Sequence, residues 1–365
     1  MKNVAVFFGG ESVEHDVSII TGVMTLNSID RLKYNPVPIY VSDNTFYTGE
    51  LLFEVENYKN LNYKKLKKVT FINGSPILYE VKKNNKLKPF LTIAVGINAM
   101  HGGLGEEGGI IGVIKGNSIA SVSPDLLASA VCMDKGASKI FLKGLGVKTV
   151  QGNVVEGLES GLKLAKKIGY PVIVKPYKLG SSIGVKTAND PNQLKHAFYD
   201  CLKYGDKVLI EKLLQDFTEI NCACYKKLSG EIVTSECERP IGKKEVLSFD
   251  DKYQNGDREF PANIPYEISN KIKGITKKVY NALSITGTIR VDYFYKNGEV
   301  YLNEINTVPG SLSYYLFTDT LKGFSELLNE QIAMAEKKFA TDSSMIKKFP
   351  SSILNIGGIK SAKRL

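Results

Sequence analysis

The chain has 365 residues, with 48 Lys and Arg against 38 Asp and Glu and a formal net charge of +10. That length leaves room for two or three domains with a sizeable core, and the ordinary apolar and charged fractions exclude a disordered or fibrous chain. No apolar run approaches the roughly 20 residues needed to span a bilayer, so no membrane partner is expected. The lysines are scattered in pairs such as Lys64-Lys65, Lys166-Lys167 and Lys277-Lys278. Without a basic stripe with interleaved aromatics or a zinc-finger spacing, no nucleic-acid partner is expected, and anionic small substrates suit the charge as well. The 5 cysteines (Cys132, Cys201, Cys222, Cys224, Cys237) form an odd, irregular set. Cys222 and Cys224 fall in an alternating strand pattern and read as small core residues, which fits a reducing cytoplasm better than a metal or disulfide framework.

In chain order, VAVFF (4–8) reads as a first strand, followed by a Gly-Gly turn and a helix through VSIITGVMTLNSI, which Ser12 could cap. Ligands often bind at such a strand-to-helix junction, which makes Glu14 and His15 candidates; Glu14 could equally only complement the helix dipole. A second strand covers 35–41, and residues 45–90, rich in Lys, Asn and Tyr, read as irregular or edge structure. FLTIAVGINAM (90–100) is a buried strand leading into His101-Gly-Gly-Leu-Gly-Glu-Glu-Gly108. Gly103, Gly105 and Gly108 match the spacing of dinucleotide loops, but Glu106 and Glu107 stand where a pyrophosphate would approach, so that reading is set aside. A helix over 109–116, a strand over 118–122 and a helix of about 20 residues after Pro124, with Asp134 and Lys135 inside it, come next.

PVIVKPYKLGSSIGVKTA (171–188) is a strand, a Gly-Ser-Ser-x-Gly loop and a returning strand. The loop offers amides and hydroxyls to phosphate oxygens; a plain surface hairpin is the alternative, and no Walker A sequence exists in the chain. After a helix over 190–203 comes KVLIEKLL (207–214), a strand carrying Glu211 and Lys212, with Glu219 and Asn221 on the next strand. The polar, turn-rich stretch 240–262 is long enough for a lid, and helices follow over 265–283 and 322–339.

Residues 287–310, GTIRVDYFYKNGEVYLNEINTVPG, read as two strands of a hairpin carrying Arg290, Asp292, Glu304 and Asn306. A two-residue Asn297-Gly298 turn would pair Lys296 with Glu299 and place Asp292 and Glu304 on opposite faces. A three-residue Lys296-Asn297-Gly298 loop brings all four onto one face. Two carboxylates and an amide oxygen suit Mg²⁺ shared with phosphates; solvated acids on an exposed sheet face are the plain alternative.

GGESVEHDVS (9–18), HGGLGEEG (101–108), MDK (133–135), VKPYKLGSSIG (174–184), LIEK (209–212), DDKY (250–253) and IRVDYF with YLNEINTVPG (289–310) stand in the order in which they occur in one family. The chain resembles the D-alanine–D-alanine ligases of the ATP-grasp superfamily over nearly its whole length, least at 45–90 and after about 340. The resemblance implies an α/β fold (α+β in parts) of ATP-grasp architecture. It would have a Rossmann-like parallel-sheet domain at 1–123, a central subdomain at 124–211, a C-terminal catalytic subdomain at 212–340 and a basic tail at 341–365. It implies a cytoplasmic homodimer acting on ATP and D-alanine.

For the site, the resemblance implies that Lys135, Lys175 and Lys252 meet the phosphates and that Ser181, Ser182 and their loop amides cover the γ-phosphate. Glu211, with backbone groups of Lys212 and Leu214, would read adenine, and Glu219 the ribose. Asp292, Glu304 and Asn306 would hold two Mg²⁺ or Mn²⁺ ions, and Arg290 with the Gly310 amide would meet the oxyanion. Glu14 would pair with the ammonium of the first D-alanine, His101 would lie near its carboxylate, and Tyr253, linked to Ser181 and Glu14, would close over both substrates. Family members usually carry Gln at Ile111, an acid at Lys115 and a Ser where Tyr315 stands, followed here by Leu316, and their metal hairpin is one residue longer. The resemblance therefore leaves the acceptor open among D-alanine, D-serine, D-lactate and other small amino acids.

Overall fold

The protein is described from a computed structural model that covers residues 1–241 and 257–351. Its first strand, Lys2–Gly9, is buried from Val4 through Gly9, as expected of a parallel strand covered on both faces. It pairs in parallel with Tyr34–Ser42 on one side and with the second half of Leu87–Asn98 on the other, which in turn pairs with Ala120–Val122. The helix His15–Ser28 lies against this sheet so closely that a Cβ on Gly22 would come within 2.3 Å of Phe8 Cγ. Gly22→Ala is therefore expected to force helix and strand apart and to cost about 1–3 kcal/mol, read as a lower midpoint in guanidinium unfolding. Ser12 does not cap this helix end-on. Its hydroxyl accepts the Glu14 N–H and donates to the His101 carbonyl, tying the helix entry to the next ligand loop.

Residues 45–90 are more regular than their composition suggests. Thr45–Thr48, Lys67–Phe71 and Ile77–Val81 are antiparallel strands that extend the sheet from Tyr34–Ser42 and return it to the first half of Leu87–Asn98. The pairings thus close on themselves within a seven-stranded sheet. Phe46 and Phe71 pack on Phe7, with ring centroids 6.1 and 6.4 Å away. The strands are short and their outward positions carry Lys and polar residues, which conceals the alternation.

Two four-stranded sheets make up the rest. One orders Lys186–Ala188, Val172–Pro176, Val208–Lys212 and Gly152–Val155, all antiparallel. The helices Leu158–Ile168 and Pro191–Cys201 bury Ala165, Leu194 and Phe198 on it. The other orders Ile232–Thr234, Thr218–Lys226, Ile289–Lys296 and Glu299–Asn306. It rests on the helix Tyr266–Ala282 through Ile272, Val279 and Tyr280. All five cysteines are buried as free thiols.

The long helix expected after Pro124 is two helices, Leu126–Met133 and Lys135–Gly144. Asp134 breaks it: its backbone is extended, and its carboxylate accepts the N–H groups of Gly136 and Ala137 at 2.9 Å each. It thereby caps the second helix. The last helix, Leu321–Ser344, packs Phe324, Leu328 and Ile332 into the core of the first sheet beside Val4, Phe8 and Leu26. No helix of the described residues is long and apolar enough to cross a membrane.

The hairpin over 287–310 departs from its expected geometry. Lys296 pairs with Glu299, so the turn is the two-residue Asn297-Gly298, with φ of 49° and 80°; both central residues are left-handed, as a type I′ turn requires. The three-residue loop is therefore incorrect. A bulge at Asn303 supplies the missing shift, taking the register from Tyr293↔Leu302 to Asp292↔Glu304 and Arg290↔Asn306. The bulge brings Arg290, Asp292, Glu304 and Asn306 to one face in spite of the short turn.

Candidate active site

On that face the Arg290 guanidinium forks onto Asp292, Nε to Oδ1 at 2.7 Å and Nη2 to Oδ2 at 2.9 Å. Asn306 Nδ2 donates to the same Oδ2 at 3.0 Å. Burial opposes the Arg290 charge, but Asp292 and the Tyr315 phenol outweigh it and hold its pKa well above the ordinary value. Glu304 takes Lys135 Nζ at 3.0 Å, and Lys135 also donates to the Leu179 carbonyl at 2.8 Å. Asp292, Glu304 and Asn306 bring two carboxylates and an amide to one face, with Asp292 only 2 % exposed and both its oxygens held by Arg290. Such a set fits a divalent cation shared with phosphate oxygens better than a closed protein cage.

The hairpin forms one wall of a cleft between the two four-stranded sheets. Lys135, Lys175, Ser182, Glu211, Lys212, Leu214, Glu219 and Glu304 all line it. Glu211 lies at its floor, with Lys139 Nζ at 2.6 Å and Lys175 Nζ at 2.9 Å. Burial alone would raise the Glu211 pKa; the two lysines reverse that and lower it. Lys212 turns its ammonium to the Gly169 carbonyl at 2.9 Å and gives its N–H to Gln151, so its side chain serves the fold. Phe217 and Phe294, with centroids 4.4 Å apart and rings tilted by 56°, add an apolar wall.

Beyond the Ser181-Ser182 loop lies a second, smaller cluster. Ser181 Oγ donates to Glu14 Oε1, and both Ser181 and Ser182 have positive φ. His101 Nε2 lies 2.9 Å from the Thr21 hydroxyl. Burial and the Arg290 charge push the His101 pKa down to about 4, against a small opposing effect of the Val308 backbone, so the ring is neutral. Glu106 accepts the N–H groups of Gly102 at 2.9 Å and Val308 at 3.3 Å. Burial and then Glu14 push its pKa up to about 8. Because the folded value lies above the unfolded one, Glu106 contributes its full stability below about pH 4.5 and loses it as pH rises toward 8. Glu106→Gln is expected to flatten that decline, which can approach ~1.4 kcal/mol per pH unit, in guanidinium titrations across the window.

Tyr315 lies beside this cluster, with Arg258 stacked on its ring at 4.9 Å. Burial raises the phenol pKa against the pull of Arg290. Leu316 is buried beside it, and Gly310 opens the left-handed turn that carries both. His15 stays outside the cluster: its Nδ1 meets the Gly10 carbonyl at 2.7 Å and its Nε2 the Tyr40 hydroxyl at 3.1 Å. Tyr253 and Lys252, with most of the expected lid, fall outside the described residues. Lys139, Thr21, Glu106 and Asn303 join the site without having been singled out as ligands. Only Lys139 carried a usable signal, four residues after Lys135 on the same helix face.

Comparison with known proteins follows the same lines. Residues 3–124 match the family model described as "D-ala D-ala ligase N-terminus" and residues 148–329 the one described as "D-ala D-ala ligase C-terminus". The chain is 35% identical over 379 residues to the D-alanine–D-alanine ligase of Thermosipho melanesiensis, covering 100% of both. Among solved structures, the D-alanine–D-alanine ligase of Coxiella burnetii superposes with a TM-score of 0.80 at 21% identity, covering 94% of this chain and 96% of that one. The VanG D-Ala:D-Ser ligase of Enterococcus faecalis superposes with a TM-score of 0.77 at 25% identity, over 92% of this chain and 98% of that one.

Proposed function

The chain belongs to the D-alanine–D-alanine ligase family, and from that membership we propose that it joins two D-alanines at the expense of ATP for peptidoglycan precursor synthesis. The observation that carries the reading is the single cleft into which Lys135, Lys175, Ser182, Glu211, Lys212, Leu214, Glu219 and Glu304 converge from separate elements.

In this reading ATP lies in the cleft with its base toward Glu211, the backbone of Lys212 and Leu214 and the Phe217–Phe294 wall. Its ribose meets Glu219. Lys135, Lys175 and Lys252 neutralise the phosphates, and the Ser181-Ser182 loop closes over the γ-phosphate. A carboxylate oxygen of the first D-alanine attacks the γ-phosphorus and ADP leaves, giving an acyl phosphate. Little covalent help is needed for such a transfer, which depends on position and charge. Asp292, Glu304 and Asn306 would hold two Mg²⁺ or Mn²⁺ ions, which when bound neutralise charge on the transferring phosphate.

Glu14 pairs with the ammonium of the first D-alanine, and the neutral His101 lies at its carboxylate. The amine of the second D-alanine then attacks the acyl carbon, phosphate departs and the amine loses its proton. Arg290 and the Gly310 amide stabilise the negative oxygen that forms meanwhile. Ser181 links Glu14 to the loop, with Tyr253 expected to complete that set. The purified chain should release phosphate from ATP only with D-alanine and a divalent cation, giving a product of dipeptide mass. A preference for L-alanine or D-lactate as acceptor would overturn the substrate assignment.

A second reading keeps the chemistry and changes the acceptor. Arg258 stacks on the Tyr315 ring, and in this reading the phenol would meet a small polar acceptor such as D-serine; the product-mass assay with competing D-amino acids separates the two. We further propose a cytoplasmic homodimer, to be tested by sedimentation, and the domain divisions 1–123, 124–211, 212–340 and 341–365. The first and third of the three larger sheets each lie within one division and the second passes its boundary by one residue, Lys212, while the helices 126–144 and 321–344 pack across the divisions.

A further inference from the structure

One hydroxyl joins the two ends of the site without a part in the scheme above. Thr21, 1 % exposed on the first helix, accepts the Ser311 N–H at 3.0 Å and lies 2.9 Å from His101 Nε2. Ser311, Leu312 and Ser313 have φ of 51°, 49° and 50°. Three consecutive non-glycine residues in the left-handed region are each disfavoured by contact of Cβ with the following carbonyl, so the turn requires support from outside itself. That support comes from two acceptors, one on the short helical turn Gly103–Glu106 and one on the helix His15–Ser28. Glu106 takes the Val308 N–H and Thr21 takes the Ser311 N–H, one on each side of Pro309-Gly310. Proline has no N–H, and the Gly310 amide is the donor between these anchors that the scheme assigns to the oxyanion.

The same hydroxyl fixes the imidazole. It lies 2.9 Å from Nε2 and, whichever of the two carries the shared proton, keeps a lone pair for the Ser311 N–H.

We propose that Thr21 is a positioning residue, whose hydroxyl sets at once the direction of the Gly310 amide and the orientation of His101. The proposal rests on the D-alanine ligase reading above. Its test compares Thr21→Val, which keeps the shape and removes both bonds, with Thr21→Ser, which keeps the hydroxyl and removes the methyl. Thr21→Ala serves as a second deletion that cannot overfill the site.

Wild-type turnover is measured first: no D-alanine-dependent phosphate release there overturns the functional reading itself. With the wild type active, Thr21→Val and Thr21→Ala should lower kcat by about 10- to 100-fold and raise the KM for D-alanine. The KM for ATP should stay within about twofold of the wild type, because Thr21 makes no contact with the ATP cleft. Thr21→Ser should stay within about threefold of the wild type throughout. Wild-type kcat in the valine and alanine variants would overturn the proposal. So would a serine variant as impaired as they are, since the methyl group and not the hydroxyl would then be what matters.

Discussion

Glu304→Gln is expected to lower the rate of D-alanine-dependent phosphate release by about 10²–10³-fold while leaving the fold intact. The glutamine has almost the same volume and stays opposite Asp292 in the hairpin register. What it loses is a negative charge with two uses. One is to hold Lys135 Nζ at 3.0 Å, so that the ammonium projects into the cleft and toward the Leu179 carbonyl. The other is to complete, with Asp292 and Asn306, the oxygen set proposed for the divalent cations. The carboxylate is 25% exposed, so its ion pair contributes little to folding, within about 1 kcal/mol. The variant should therefore melt near the wild-type temperature. Calorimetric titration with the cation and ADP gives a readout independent of turnover: the variant should bind the pair more weakly. Near-normal turnover and cation binding would show that the hairpin face is not the metal platform.

The same hairpin shows how much of the site the sequence carried. Arg290, Asp292, Glu304 and Asn306 were legible as one group, and the structure places them on one face. The geometry that unites them was not legible. Asn-Gly is a strong signal for the two-residue turn that is found, but the bulge at Asn303 depends on tertiary surroundings: that side chain faces Lys175 at 3.5 Å and lines the cleft. Local sequence cannot report a residue extruded to suit a wall built by another sheet. Asp134 is a milder case, because an aspartate inside an apolar helical pattern reads as a solvated position until its carboxylate is seen to cap the next helix. Thr21 and Glu106 were invisible for a different reason. Each sits in ordinary helical or loop context, and its role comes from backbone N–H groups about 200 or more residues away, at Val308 and Ser311. The Gly-Ser-Ser loop and the strand Val208–Lys212, by contrast, are local strand-and-turn units, and Ser182, Glu211 and Lys212 from them line one cleft.

Arg290→Lys should be as damaging to turnover as the loss of Glu304, about 10²–10³-fold in kcat/KM, although it conserves charge. The native guanidinium spends Nε and Nη2 on the two oxygens of Asp292. Its planar fork can still direct a further N–H toward the proposed oxyanion, near His101, whose ring burial and then the Arg290 charge keep neutral. An ammonium is a point charge on a flexible stem; it cannot satisfy both Asp292 oxygens and hold a donor at a fixed third position. Arg290→Ala separates this geometric loss from an electrostatic one. Asp292 is 2 % exposed, and removing its partner leaves a buried carboxylate with Asn306 as its remaining donor, a cost of about 3–5 kcal/mol. The lysine variant should keep most of that stability, so the two substitutions should be alike in turnover and unlike in unfolding midpoint. If Arg290→Lys instead turns over at a near-wild-type rate, the planar fork is not what meets the oxyanion, and the stabilising role passes to the Gly310 amide alone.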